Sequence, residues 1–330
     1  MLTAAPRRRS TSRLGSFLAV AGLTTALGAT GVLVAARRTV DTVQRVPAVE
    51  QVLSAPSGTV ENYLLVGSDS RAEGDPNTGQ TGDVTGSRSD TIMVLRTDPT
   101  GGPAALLSIP RDLYVNVPGR DGKTRINSAY NEGPSVLVQT VQQELGIPIH
   151  HFVEIDFSGF KDLVDALGGV QVCFLFPTRD LNTGLDIAAP GCYLLNGVQS
   201  LSYARSRHFE EFRDGEWRED PTSDLGRIKR QQDFVNRALQ GAIDRIKVNP
   251  FAAGDLATAI GSALAVDESL DPIKAAASLR TAVSGGLQTY SLPVEGKTID
   301  DKAVLILGDG ADAVLDYFRG TSSTPPPIGS

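Results

Sequence analysis

Cysteine is almost missing from this chain: Cys173 and Cys192 are the only two in 330 residues. Their Cys-x18-Cys spacing, with no histidine close by, lacks the ligand pattern of a structural zinc site. In an oxidising compartment the pair can form a disulfide; as buried free thiols they would be ordinary small core residues. An excess of positive charge is missing too. With 31 Lys and Arg against 38 Asp and Glu, a net charge of −7, the surface as a whole has no electrostatic reason to bind nucleic acid. Any anion must meet a local cluster of cations. Familiar catalytic signatures are also missing: no G-x-S-x-G, H-E-x-x-H or G-x-G-x-x-G stands in a fitting context. In GRDGKT at 119–124 the glycines lie too close together for a phosphate-binding loop, and the stretch reads as a hairpin turn. No internal repeat divides the chain.

One long apolar run is present. Arg7, Arg8, Arg9 and Arg13 precede 23 uncharged residues, Leu14–Ala36, and Arg37 and Arg38 follow. At about 1.5 Å per residue the run spans a hydrocarbon core of roughly 30 Å, and the charge bias keeps residues 1–13 cytoplasmic and sends the bulk of the chain outside. The alternative is a cleaved signal peptide with small residues near Val34, Ala35 and Ala36, although its apolar region would normally be about 7–15 residues. Residues 37–59, with Pro47, Pro56 and Gly58, read as a linker, 60–320 as the folded domain and 321–330, TSSTPPPIGS, as a disordered tail.

Within the domain, short β-rich runs at Tyr63–Val66, Thr91–Thr97, Ala104–Ile109, Leu113–Val117, Phe152–Ile155 and Val170–Phe174 alternate with helical patterns at Ser135–Leu145 and Phe157–Leu167. Gly146 and the pair Gly168, Gly169 end those helices. A longer helix, capped by Asp224, carries an apolar face of Leu225, Ile228, Val235, Leu239 and Ile243. The segment Phe251–Ser284 reads as helical, and SLPVEG at 291–296 as a strand returning to the sheet. The alternation predicts an α/β fold with helices on both faces of a sheet.

The charged residues fall at the ends of these strands. Asp69 ends one strand and Asp90 opens the next, preceded by Arg88. DPTGGP joins the strands at 91–97 and 104–109 as an antiparallel hairpin, so the start of one lies beside the end of the other at Arg111 and Asp112. If the Tyr63 strand enters from the opposite edge, Asp69, Arg88, Asp90, Arg111 and Asp112 share one rim. Farther on, Arg205 and Arg207 point to one side if their segment is extended, and Arg227, Arg230 and Gln231 share a helix face. Arg227 sits in a first turn, where the helix dipole disfavours a cation unless an anion lies nearby. Any single Arg–Asp pair is best read as an ordinary ion pair. The constellation is different: guanidinium groups bind phosphate oxygens bidentately and carboxylates bind hard divalent cations, so it suits a pyrophosphate with its metal. His150 and His151 read as structural or exposed, while His208 could orient a phosphate.

The succession LLVGSDSR, RSDTIMVL, LLSIPRDLYVNVPG, RINSAYNEG, LNGVQSLSYARSRH and DLGRIKRQQDFV resembles the LytR-CpsA-Psr family over residues 60–245, with weaker similarity to 320. The Cys173–Cys192 spacing, the insertion FEEFRDGEWREDPTSD and the Ala/Gly content look like its actinobacterial branch. The resemblance implies a three-layer α/β/α sandwich around a mixed central sheet and one N-terminal transmembrane helix. It also implies a polyprenyl lipid in a hydrophobic tunnel with its phosphates on the arginines. The implied activity is that of a phosphotransferase at the outer side of the cell membrane, with Mg²⁺ or Mn²⁺. It moves a glycopolymer such as a teichoic acid, capsule or arabinogalactan from a polyprenyl-pyrophosphate carrier to peptidoglycan. By this resemblance Asp69 and Asp90 match acids that hold the metal or act near it. Arg88, Arg111, Arg205, Arg207 and Arg227 match pyrophosphate contacts, with Gln231 in the same block. Asp69, Asp90 and Arg111 are the candidate catalytic residues. The rival expectations are a polyprenyl-pyrophosphate pyrophosphatase and a non-catalytic lipid-phosphate-binding regulator of the envelope; none of these takes nucleic acid as partner.

Overall fold

A computed structural model describes residues 43–69, 89–98, 100, 103–249, 252–271, 274–275, 278 and 286–327. In chain order, β1 (Gln44–Arg45) leads through a 3-10 turn at Pro47–Val52 to β2 (Glu61–Ser68), β3 (Ser89–Thr97) and β4 (Ala104–Ile109). The hairpin of β5 (Tyr114–Asn116) and β6 (Lys123–Arg125) precedes β7 (His151–Asp156). A peripheral group follows: β8 (Val170–Phe174), β9 (Thr178–Asp180), β10 (Leu185–Ile187), β11 (Gly191–Leu195), β12 (Glu210–Arg213) and β13 (Glu216–Glu219). Then β14 (Leu264–Val266) and β15 (Leu287–Ser291) return to the centre, and β16 (Val294–Ile299) with β17 (Lys302–Leu307) forms a last hairpin.

The central sheet is mixed, with seven strands in the order β1-β14-β7-β2-β3-β4-β15. Period-two alternation gives each strand two different faces. Leu64, Val66, Ile92, Val94, Leu107 and Phe152 point to one side, each at most 2% exposed, and pack against Leu137, Val138 and Val141 of the helix Pro134–Leu145 and Leu315 and Phe318 of the helix Ala311–Arg319. At about 25 cal/mol per Å² this dry layer supplies most of the hydrophobic stabilisation. The opposite face is apolar but less completely covered. Leu65, Leu95, Val153, Leu264 and Leu287 are half-buried there, with Leu239 and Ile243 of the long helix Asp224–Val248 lying over its Ala104 edge.

Several expectations are matched closely. The strands at 104–109 and 170–174 have the predicted bounds, Gly146 ends its helix in the left-handed conformation at φ 70°, and GRDGKT forms the turn between β5 and β6. Others need correction. Val170–Phe174 pairs with β11 in a separate ribbon rather than joining the central sheet, because its apolar residues Val170, Val172 and Phe174 pack against Tyr203 and Phe234. The strand that returns to the sheet is β15, parallel to β4, whereas Val294–Ile299 turns away into the last hairpin. The linker reading fails from Val43 onward: β1 pairs with β14, and Val49 is fully buried in the main core. Single valines among polar residues leave no periodic signal from which to see this. The tail reading is only partly matched, since the Thr321 and Ser322 amides donate to Asp316 O and Pro326 is buried. Leu14–Ala36 lies outside the described residues; among those described, no helix is long and apolar enough to cross a membrane.

Candidate active site

The antiparallel register brings three strand ends to one rim. Ser68 at the end of β2 faces Ser89 at the start of β3, and Ile92 faces Ile109 at the end of β4. Asp69, which follows Ser68, therefore lies on this rim. Between the pairs Ser68–Ser89 and Gly67–Thr91 the register slips, which makes Asp90 the extra residue of a β-bulge. Bulges redirect a side chain and recur beside active sites. Gly67 permits the tight pairing here, since a Cβ on it would stand 3.1 Å from Thr91 Cβ.

Arg111 follows β4 in a turn whose backbone is fixed twice: Leu113 N–H donates to Pro110 O and Asn127 N–H donates to Arg111 O, both at 3.1 Å. Its Nε lies 3.5 Å from Asp112 Oδ2 and 4.0 Å from Asp224 Oδ1. The remaining arginines arrive from the peripheral group. Contrary to the extended reading, Arg205 is the last residue of the helix Gly197–Arg205, and the chain turns at Ser206. The Arg205 guanidinium stacks 4.4 Å from the ring centroid of Phe157, the residue after β7, whose Asp156 pairs with Ser68 at the rim. Arg207 Nε lies 3.5 Å from Asp224 Oδ1.

Sequence patterning misses the residue that holds this turn. Asp180, at the end of β9, is fully buried and, among the described residues, has no basic side chain as partner. Its Oδ2 accepts from Ser206 Oγ at 2.6 Å and from the Arg207 and His208 amides at 3.1 Å, while Oδ1 accepts from the amides of Asn182 and Thr183. An Asp followed by Leu-Asn-Thr-Gly signals only a local turn; the bonds to 206–208 come from tertiary folding. Arg230 completes the arrangement by donating to Ser206 O at 2.7 Å and to Asp220 Oδ2 at 2.9 Å. Burial alone would raise the Asp220 pKa, but hydrogen bonds from Thr222 and Arg230 outweigh it and hold the carboxyl below its ordinary value.

The long helix begins at Asp224 itself, with Ser223 at the cap position held at a positive φ of 44° with ψ −106°, a sparsely populated conformation that costs a non-glycine residue about 1–3 kcal/mol. Asp224 is thus not the cap the sequence suggests; its carboxylate turns to the arginines. Arg227, whose side chain is 3% exposed, places Nη2 2.9 Å from Asp224 Oδ1. The anion required by a first-turn cation is therefore present. Gln231 Nε2 donates to Thr91 Oγ1 at 3.0 Å and to Ala204 O at 3.1 Å, which links the residue after the bulge to the residue before Arg205. In this position Gln231 ties the two halves of the rim together, and its amide hydrogens are used in doing so.

The structure thus unites Arg111, Arg207 and Arg227 around one carboxylate, with Asp69 and Arg205 on the same rim. Arg88 and the Asp90 side chain lie outside the described residues. His208 is not drawn in: its ring is 59% exposed and pairs with Glu219 at 2.7 Å. His208→Ala should therefore leave turnover within about twofold of the parent, since an exposed pair contributes little; a larger loss in a steady-state assay would return it to the site. His150 is structural, as expected: burial pushes its pKa down, and the neutral ring accepts the Asn62 N–H at Nδ1. Cys173 and Cys192, directly opposite on β8 and β11, are disulfide-bonded.

A model of the LytR_cpsA_psr family matches residues 30–314. A protein of Corynebacterium glutamicum named "Probable cell wall biosynthesis protein LcpB" is 37% identical over 266 residues, 78% of this chain and 61% of the relative. The "Polyisoprenyl-teichoic acid--peptidoglycan teichoic acid transferase TagU" of Enterococcus faecalis is 34% identical over 200 residues, 60% of this chain and 61% of the relative. The match with each of these two curated relatives thus extends over about three fifths of its length. Among solved structures, the "LytR-Csp2A-Psr enzyme from Actinomyces oris" superposes with a TM-score of 0.65 at 26% identity, covering 84% of this chain and 95% of that one.

Proposed function

Given that the chain belongs to the LytR_cpsA_psr family, we propose that it is a phosphotransferase that moves a glycopolymer from a polyprenyl-pyrophosphate carrier to peptidoglycan. The observation that carries this reading is the convergence of Arg111, Arg207 and Arg227 on a single carboxylate at the sheet rim. Planar guanidinium groups suit the paired oxygens of a pyrophosphate. The half-buried apolar face of the sheet, with the long helix lying over its Ala104 edge, would receive the isoprenoid chain.

The donor set fits a hard divalent cation. Asp69, the residue after β2, and Asp90, the bulge residue of β3, stand at adjacent strand ends, and Mg²⁺ typically takes one or two carboxylates with the substrate's phosphates. Asp69 and Asp90 would hold Mg²⁺ or Mn²⁺, which when bound would neutralise charge on the phosphates. In the transfer, an acceptor sugar hydroxyl forms an O–P bond to the phosphorus nearest the glycopolymer. The bond from that phosphorus to the bridging oxygen breaks, polyprenyl phosphate leaves with the electron pair, and the hydroxyl proton passes to a carboxylate of the rim. Positioning and charge neutralisation provide most of the acceleration in such a displacement.

The run Leu14–Ala36 would anchor the domain on the outer side of the cell membrane, a location compatible with the disulfide. Incubating the full chain with lipid-linked polymer and Mg²⁺, with and without peptidoglycan, tests the reading. The expected result is a phosphodiester-linked product only when the acceptor is present. Release of polyprenyl phosphate at the same rate without acceptor would make the protein a pyrophosphatase, and binding without turnover would make it a regulator.

A further inference from the structure

Asp224 places an acid where the proposed ligand is an anion. Its carboxylate lies 2.9 Å from Arg227 Nη2, 3.5 Å from Arg207 Nε and 4.0 Å from Arg111 Nε. Helix capping does not account for it, because Asp224 is the first residue inside the helix and the cap position belongs to Ser223, which makes no side-chain cap bond. Pairing with Arg227, whose buried first-turn cation needs an anion, accounts for only one of its three contacts; it does not account for the approach to Arg207 and Arg111. The carboxylate brings its oxygens within reach of three guanidinium groups from three separate segments, the relation a bound phosphate would have.

We propose that Asp224 is a resident counter-anion of the arginine cluster. It keeps the three guanidinium groups convergent and offsets part of their charge, so that lipid phosphates are held less tightly than the bare cluster would hold them and the phosphate product can leave. This rests on the reading of the cluster as a phosphate site. A unit charge about 5 Å from the ligand acts through a largely aqueous rim, and removing it should strengthen binding of a multivalent anion by about tenfold. A purely structural Asp224 predicts the opposite sign, since loosening the cluster weakens binding.

The test is calorimetric titration of the full chain in detergent with inorganic pyrophosphate at low salt. Asp224→Asn should bind about tenfold more tightly than the parent, and Asp224→Glu should stay near the parent value. Asp244→Asn, which removes the same charge from the far end of the same helix, should also stay near it. Asp224→Ser, equally suited to a first helical turn, gives the same reading should the Asn variant fold poorly. Unchanged or weaker binding in the folded Asp224→Asn and Asp224→Ser variants overturns the proposal, as does an equal gain in Asp244→Asn. Absence of pyrophosphate binding in the parent protein would instead overturn the phosphate site itself, and the counter-anion role with it.

Discussion

Replacing Arg111 by alanine is expected to lower polymer transfer by about 10²–10³ while shifting the melting temperature by no more than about 3 °C. The separation of the two effects follows from the geometry. The Arg111 side chain is 20% exposed and its ion pairs, at 3.5 and 4.0 Å, are long, so they add only about 0–1 kcal/mol to stability. Its backbone, by contrast, is fixed by the turn after β4, which starts the side chain at the rim. A donor held in advance where charge develops is worth far more to the transition state than to the fold. Arg111→Lys should restore only a small part of the loss, because an ammonium keeps the charge and loses the planar fork. Transfer from lipid-linked polymer to peptidoglycan is the assay, and unimpaired transfer by Arg111→Ala would remove this residue from the site.

Asp180→Ala should have the largest effect on stability. It strips the buried acceptor from the Ser206 hydroxyl and from four backbone amides. Leaving such donors unsatisfied costs about 3–5 kcal/mol in total, or roughly 10 °C in melting temperature for a domain of this size. Function should suffer beyond stability. At a temperature where the variant is still folded, transfer should be down by at least about tenfold, because the turn carrying Arg207 loses its anchor while Arg111 and Arg227 keep theirs. Thermal melting followed by circular dichroism, with transfer measured well below the midpoint, separates the two. A variant that melts like the parent would mean that the turn is held by Arg230 and the chain on either side instead.

Local pattern was enough to locate much of this molecule. Short apolar β-rich runs at 104–109 and 170–174 set strand bounds that agree with the structure, and DPTGGP made the antiparallel pairing of β3 and β4 legible, and with it the approach of Arg111 to the start of β3. These features depend on neighbours within a few residues, where steric and turn preferences act directly. The order of the blocks from LLVGSDSR to DLGRIKRQQDFV identified the family for the same reason: each block is a local record of the residues that meet at the rim.

Tertiary structure alone decided the rest. Asp224 looked like a helix cap because sequence shows the helix it starts, while the arginines it faces come from residues 111, 207 and 227 in separate segments. Gln231 stands in a block that resembles the family's phosphate contacts, but only the fold gives its amide hydrogens to Thr91 and Ala204, 140 and 27 residues away. Asp180 signalled only a local turn, and Val49, read as part of a linker, is in the core. In each case the side chain's role is set by partners that only the folded chain brings within hydrogen-bonding or van der Waals distance. Sequence by itself therefore determined which chemical groups this protein possesses and on which strand ends they stand; only the fold decided which carboxylate the arginines share.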